Sequence, residues 1–346
     1  MRTEEELARV LRTIAERAEH VDLLSGVVAK RRHRRRLRAR VALASACVTI
    51  LGWGAAAWWP SPPRPVVGTA APAATVDQVW PRAVFTMPGR YRPLAAISAT
   101  ELLVWGEQGT IEVYDATTRR FTVVARLPQA PRDVAVGSDR VAWLAEDYVW
   151  VAPLRGRGAA RRVGPVKGTS VDRVTLAGDH VAWSSPLDGV WRMKVDGGAP
   201  EKVAKGLQLL DWPWAIDEPL DIRTNPTRVV NLETGRTFRI TPARGVEGLR
   251  CGPTWCLGMR DDDSVVQRID GSQVRVRQGL RGHPYRDYPY KDRFFSGGMA
   301  IYDAQADRMV PFQAADGGWS EGQGVIFWRQ SGQLRGVNLA AVPPAQ

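Results

Sequence analysis

The sequence is poor in the side chains that carry metal and nucleophile chemistry. Its 346 residues include four histidines and three cysteines. None of the histidines stands near the one close cysteine pair, which excludes a His/Cys zinc site. We read no P-loop, no H-E-x-x-H and no G-x-S-x-G nucleophile elbow. No zinc cluster of the kind that marks many anti-sigma tails is present either. No cofactor is expected. The net charge of +12 points towards nucleic acid until it is located. Residues 1–40 hold 12 Lys/Arg against 6 Asp/Glu, so half of the excess sits in a short N-terminal segment. The rest is spread thinly over 306 residues, which argues against a nucleic-acid-binding face.

Long apolar runs are also absent, with one exception. Eight Lys/Arg fall within the eleven residues 30–40 (KRRHRRRLRAR) and are followed by VALASACVTILGWGAAAWW, 19 residues without a charge. As a helix rising 1.5 Å per residue this run reaches about 28 Å, close to the hydrocarbon thickness of a bilayer. The cations hold the N-terminal side in the cytoplasm, and Trp58-Trp59 suits the opposite interface. A cleaved signal peptide would have a short basic segment, but about 40 residues precede this one. A lipoprotein signal ending at Cys47 would leave too few apolar residues before it. Residues 41–59 are therefore read as a single transmembrane signal anchor.

The anchor orders everything else. Residues 1–40 form a cytoplasmic amphipathic and basic tail, in which Thr3 and Glu6 have the form of a capping box. Leu7, Val10, Leu11, Ile14, Ala18 and Val21 follow at helical spacing. That stripe lies on the membrane, pairs with a second copy, or lets residues 3–28 meet a cytoplasmic partner. Residues 60–75 are a Pro/Ala-rich linker. Residues 76–346 form an extracytoplasmic domain of short β-type runs separated by Gly, Asp and Asn turns.

Those runs repeat. Val141-Ala142-Trp143 and Val181-Ala182-Trp183 are 40 residues apart, and Tyr114 and Tyr302, each followed by Asp-Ala, are 188 apart. Trp105, Trp143, Trp183, Trp255 and Trp328 fall near equivalent places on such a period. Repeats of about 40 residues with several short strands each are the signature of propeller blades. We place the blade starts near residues 92, 133, 174, 207, 246, 285 and 319. The last unit lacks its fourth strand, and QVWPRAVFTMP (79–88) is a spare strand that would close the ring. The expected fold is all-β, a seven-bladed propeller, with six blades as the alternative.

Residues 76–341 resemble the TolB-like and WD40-like β-propellers of bacteria, in strand–turn segments such as NLETGRTF and VDGGAPEKV. The layout of basic tail, anchor and outer propeller resembles a group of actinobacterial membrane proteins. The Gly-His and Trp-Asp dipeptides of WD40 blades do not recur in regular order. The resemblance implies a fold rather than an activity.

Few residues are candidates for a site. Cys251 and Cys256 (C-G-P-T-W-C) suit a disulfide at a turn in the fifth blade, with two free buried thiols as the alternative. His180 aligns with Arg140 in the repeat and is expected at a turn. Asp261, Asp262 and Asp263 lack calcium-loop spacing and read as solvated turn residues. The segment HPYRDYPYKDRFF, which contains His283, is a possible binding patch through Tyr285, Arg286, Tyr288, Tyr290, Lys291 and Arg293. Its alternative is packing between blades five and six. The functional expectation is a membrane-anchored binding, scaffold or sensory module. Its outer partner would be a protein, peptide or envelope glycan. The alternative is a hydrolase or lyase acting in the central funnel.

Overall fold

The computed structural model describes residues 73–345, apart from 157, 169–170, 218, 220, 279, 281–287 and 315–317. The expected tail, the expected span and most of the linker lie outside the described residues. Among the described residues no helix is long and apolar enough to cross a membrane.

Seven antiparallel sheets follow one another along the chain. Six begin with innermost strands at Arg92–Ala96, Val134–Val136, Arg173–Ala177, Gln208–Asp211, Glu247–Cys251 and Trp319–Gly322. Each lies within one residue of its expected start. The remaining sheet, blade 6, shows three strands: Phe294–Gly297, Ala300–Asp303 and Arg308–Pro311. Its Ala304 N–H donates to the Arg293 carbonyl, as Ala116 in blade 1 donates to Thr100. These three strands therefore match the second to fourth of a blade. The start expected near residue 285 falls outside the described residues.

The ring closes as the spare segment suggested. Val84–Pro88 pairs antiparallel with Gln333–Asn338, from Val84 opposite Val337 to Pro88 opposite Gln333. It supplies the outer strand of blade 7 and leaves that blade with four strands. Phe85 and Met87 on this strand pack with Leu102, Val104 and Tyr114 of blade 1 and with Val325 and Phe327 of blade 7. Just before it, a single helical turn, Val76–Val79, buries Val76 and Trp80 in the cluster that holds Phe294, Trp328 and Val337.

Middle strands read as continuous apolar runs because neighbouring blades cover both of their faces. Leu102, Leu103 and Val104 of blade 1 are fully buried, as are Val141, Ala142 and Trp143 of blade 2. The outer strand Arg120–Arg126 is covered on one side only and is largely exposed. Turns between third and fourth strands reuse one device. Asp115 Oδ1 accepts the N–H groups of Thr117 (2.8 Å) and Thr118 (3.2 Å). Asp303 and Asn231 do the same for the backbone two and three residues on.

Strand register corrects the tryptophan alignment. Trp143 faces Trp150, Trp183 faces Trp191 and Trp328 faces Arg335, all at one position of the repeat. Blade 1 has Val104 there, facing Glu112, so Trp105 is one residue out of step. Trp255 opens its strand, opposite Arg268, and is three out of step. A period read from spacing alone cannot resolve shifts of this size.

A motif reading also needs correction. Gly318-Trp319-Ser320-Glu321-Gly322 does have the spelling G-x-S-x-G. A nucleophile elbow needs a sharp strand-to-helix turn at the serine. Here Ser320 lies inside the strand Trp319–Gly322, opposite Phe327. The segment is the innermost strand of blade 7 and has no elbow.

Candidate binding surface and the ring axis

Polar side chains at the entry to the innermost strands meet in the middle of the ring. In blade 2 the pair Arg132-Asp133 precedes the apolar strand. In blade 3 the register places Asp172-Arg173 at the same two positions, with the charges in reverse order. Asp133 Oδ2 accepts the Val174 N–H at 2.7 Å, and its Oδ1 accepts from Gln323 Nε2 of blade 7 at 3.4 Å. Asp172 accepts from Ser184 Oγ at 3.2 Å and from Gln208 Nε2 of blade 4. Burial raises both carboxyls above the usual carboxylate range, and the Arg173 charge opposes that rise in each.

Arg173 itself donates to the Leu210 carbonyl of blade 4 at 3.0 Å. Its guanidinium lies 5.4 Å from the ring centre of Tyr288, which comes from blade 6. Blades 3 and 6 lie on opposite sides of a seven-membered ring, so this contact passes through the centre. Tyr290 also turns inwards. Burial raises its hydroxyl to about 12, with the nearby Asp211 of blade 4 adding to the shift. Gly324 of blade 7 abuts the Tyr290 ring so closely that a Cβ there would lie 2.2 Å from it. Asp211 in turn accepts from Thr175 Oγ1 of blade 3 at 2.8 Å. The Tyr288–Tyr290 segment therefore acts as a plug, tied to blades 3, 4 and 7.

The expected binding patch divides accordingly. Tyr285, Arg286 and the neighbouring His283 lie outside the described residues. Tyr288 and Tyr290 are half-buried, Tyr288 against the cluster of Leu210 and Leu249 and Tyr290 against that of Phe294 and Val337. Arg293 is buried, with Nε and Nη2 donating to the Asp303 carboxylate at 2.9 and 2.6 Å and Nη2 also donating to the Pro343 carbonyl. Lys291 alone among the four described residues is exposed, with its ammonium 5.5 Å from the Tyr290 ring centre.

The other candidates have simple settings. His180 opens the second strand of blade 3, and its Nδ1 lies 2.6 Å from Asp179 Oδ1. The equivalent Arg140 is paired in the same way with Asp139. Asp261 and Asp262 are exposed at a hairpin tip, and Asp263 begins the next strand. Cys251 and Cys256 face each other across the first hairpin of blade 5, joined Sγ to Sγ with Cα atoms 4.0 Å apart. Asp292 of blade 6 caps the same hairpin, accepting the Thr254 and Trp255 N–H groups at 3.0 Å each. Among the described residues no group of three or more His, Cys, Asp or Glu could hold a metal ion.

Sequence reasoning missed Asp133, Asp172, Arg173 and Asp211. A charged pair ahead of an apolar strand looks like an ordinary solvated turn. The reversed Arg-Asp and Asp-Arg order in consecutive repeats was the available signal. Chemically, each axial carboxylate is tied to donors from neighbouring blades. The arrangement fastens the centre of the ring.

No protein-family profile matches the sequence, and no curated protein is similar to it in sequence. Solved structures similar in fold include the Cps50 (Swd1) β-propeller domain of Myceliophteria thermophila. That match has 10% identity and a TM-score of 0.43, covering 74% of this chain and 99% of that one. A TolB-type protein of Agrobacterium tumefaciens matches with 13% identity and a TM-score of 0.36, over 62% and 90% of the two chains. Hydrazine synthase of Kuenenia stuttgartiensis matches with 11% identity and a TM-score of 0.41, over 70% and 76%.

Proposed function

We propose that this chain is a membrane-anchored propeller that binds a partner and catalyses no reaction. One observation carries the reading. The acids that meet on the axis, where a propeller enzyme would place its chemistry, are engaged by Val174, Gln323, Ser184, Gln208 and Thr175 of their own or other blades. Binding then falls to the rims, where hairpin tips from successive blades sit side by side on a rigid support.

In this reading residues 41–59 anchor the chain and the propeller faces the outside. It meets a protein, peptide or envelope glycan there, and the tail meets a partner inside. The 19-residue uncharged run behind eight cations supports the topology. The Cys251–Cys256 pairing suits an oxidising compartment. The test has two parts. Protease added to intact cells should degrade the propeller and spare the tail, and the full chain in detergent should capture a partner that a scrambled-tail control and a rim-substituted control each lose in part. Full protection of the propeller in intact cells would remove the topology.

A second reading, a hydrolase or lyase working at the axis, draws on one observation. Asp133 and Asp172 flank Arg173, and burial raises both carboxyls. Displacement of the Tyr288–Tyr290 plug by a substrate is its requirement.

A further inference from the structure

A cleft of about 310 Å³ lies away from the axis, where the closing strand hands over to blade 1. Its walls are Arg90 and Tyr91 from the connection after Val84–Pro88, and Glu107, Gln108, Thr110 and Glu112 from the second hairpin of blade 1. The cleft lies where blade 1 differs from blades 2 and 3. The position of Glu112, opposite Val104, is filled by Trp150 in blade 2 and Trp191 in blade 3. All three blades carry a β-bulge at this point, between residues 111/112, 149/150 and 190/191. The backbone is thus the same while an indole is replaced by a carboxylate, and the volume so released is open.

The carboxylate is set deep, since Glu112 is 8% exposed. One oxygen, Oε1, accepts from Thr110 Oγ1 at 2.5 Å. The other takes no hydrogen bond among the described residues. Gly106 keeps the space clear, because a Cβ there would lie 2.6 Å from Thr110 Oγ1 and 2.8 Å from Glu112 Oε1. Glu107 adds a second carboxylate and Gln108 an amide at the mouth. The Tyr91 ring is held by stacking on Phe121, with ring centres 4.0 Å apart. Arg90 lies 5.4 Å over that ring and pairs with neither glutamate.

We propose that this cleft binds a primary ammonium group on an aliphatic stem, as presented by a lysine side chain. A deep carboxylate with an unused oxygen, a second carboxylate at the mouth and an amide acceptor match the three donors of an ammonium. The ring edge and the stems of the glutamates suit the methylene chain. A free polyamine shares this chemistry. The inference deepens the binding-module reading and rests on it.

Calorimetric titration of the full chain in detergent tests the cleft, with Nα-acetyl-lysine amide, its Nε-acetylated counterpart and spermidine as probes. The lysine amide should bind saturably, and acetylation at Nε should weaken it at least about tenfold. Glu112→Gln should cost about tenfold, the scale of one charge-assisted contact. Glu112→Trp introduces the residue that blades 2 and 3 carry on the same bulge, so it should fold with an unchanged melting temperature and abolish binding. Tighter binding of spermidine than of the lysine amide would assign the cleft to polyamines. Equal binding of the two lysine derivatives, no saturation by any probe, or full binding by a folded Glu112→Trp chain would overturn the proposal. A chain that binds the lysine amide but captures no partner retires the binding-module reading alone. Partner capture without lysine binding retires the cleft alone.

Discussion

Arg173 and Tyr288 meet across the centre of the ring, guanidinium over aromatic face, although they come from the third and sixth blades. Arg173 also holds the Leu210 carbonyl and offsets the buried charges of Asp133 and Asp172. Arg173→Met should therefore destabilise the propeller by about 3 kcal/mol, because it leaves two set-in carboxylates without their cation. Chemical denaturation measures this. Tyr288→Phe is the contrasting variant. Its hydroxyl is buried without a partner among the described residues, so its loss should be neutral or stabilise by up to about 1 kcal/mol.

Stability should respond to pH through the same acids. Folding raises the Asp133 and Asp172 carboxyls, so the folded chain binds protons that the unfolded chain has released. Their contribution is favourable in acid and is lost as pH rises from about 4 through the raised values. Asp133→Asn with Asp172→Asn should gain stability relative to the parent across that window and keep the gain at neutral pH. Denaturation midpoints of the two proteins, compared at several pH values, check the sign. Comparing the pair cancels the opposite trend of Asp115 and Asp270, which turn hydrogen bonds hold low, and of Asp139, which the Arg140 side chain holds low.

Cys251→Ser with Cys256→Ser should fold and melt a few degrees lower. A bridge closing so short a loop is worth about 2 kcal/mol in the chain-entropy account. It pins one hairpin of one blade and restrains the chain locally. Mass spectrometry of the unreduced protein after alkylation checks the premise, since two labelled thiols would show that no bridge forms.

Phe85→Asp should damage the ring more than substitutions of similar size elsewhere. Phe85 is 5% exposed, and it joins the closing strand to blades 1 and 7 together. Placing a charge there costs several kcal/mol and weakens the strand pairing that covers the edge of blade 7. The expected outcome is loss of cooperative thermal unfolding, seen by circular dichroism. Val123→Asp, on an exposed outer strand, is the control and should melt like the parent.

Blade number, six of the seven blade starts and ring closure were legible in the sequence because the blades repeat one pattern of apolar strands and capped turns. Tyr114-Asp115-Ala116 and Tyr302-Asp303-Ala304 mark the same turn, and the turn chemistry needs a side-chain oxygen at the aspartate position. The hairpin at Cys251 was legible for a similar reason, since Gly and Pro between two cysteines leave few geometries. The axis was not legible. Asp133 meets Gln323 across 190 residues of chain, and no local pattern announces such a contact. Tyr288 and Tyr290 looked like a surface patch because aromatic and charged residues alternate there, yet their rings turn inwards and Arg293 is spent on Asp303. The cleft on blade 1 was hidden by the same periodicity that revealed the fold, for it lies where Glu112 occupies a position that blades 2 and 3 fill with tryptophan.

The pairing of Val84–Pro88 with Gln333–Asn338 also sets an order of events during synthesis. Among the described strands, the first to leave the ribosome has as its partner the last one made. Until then it waits as an open edge while six other sheets assemble between them. A chain stopped before residue 333 has no seat for that strand, which leaves Phe85 and Met87 without the partner strand that holds them in place. Completion of the seventh blade and closure of the circle are thus one checkpoint.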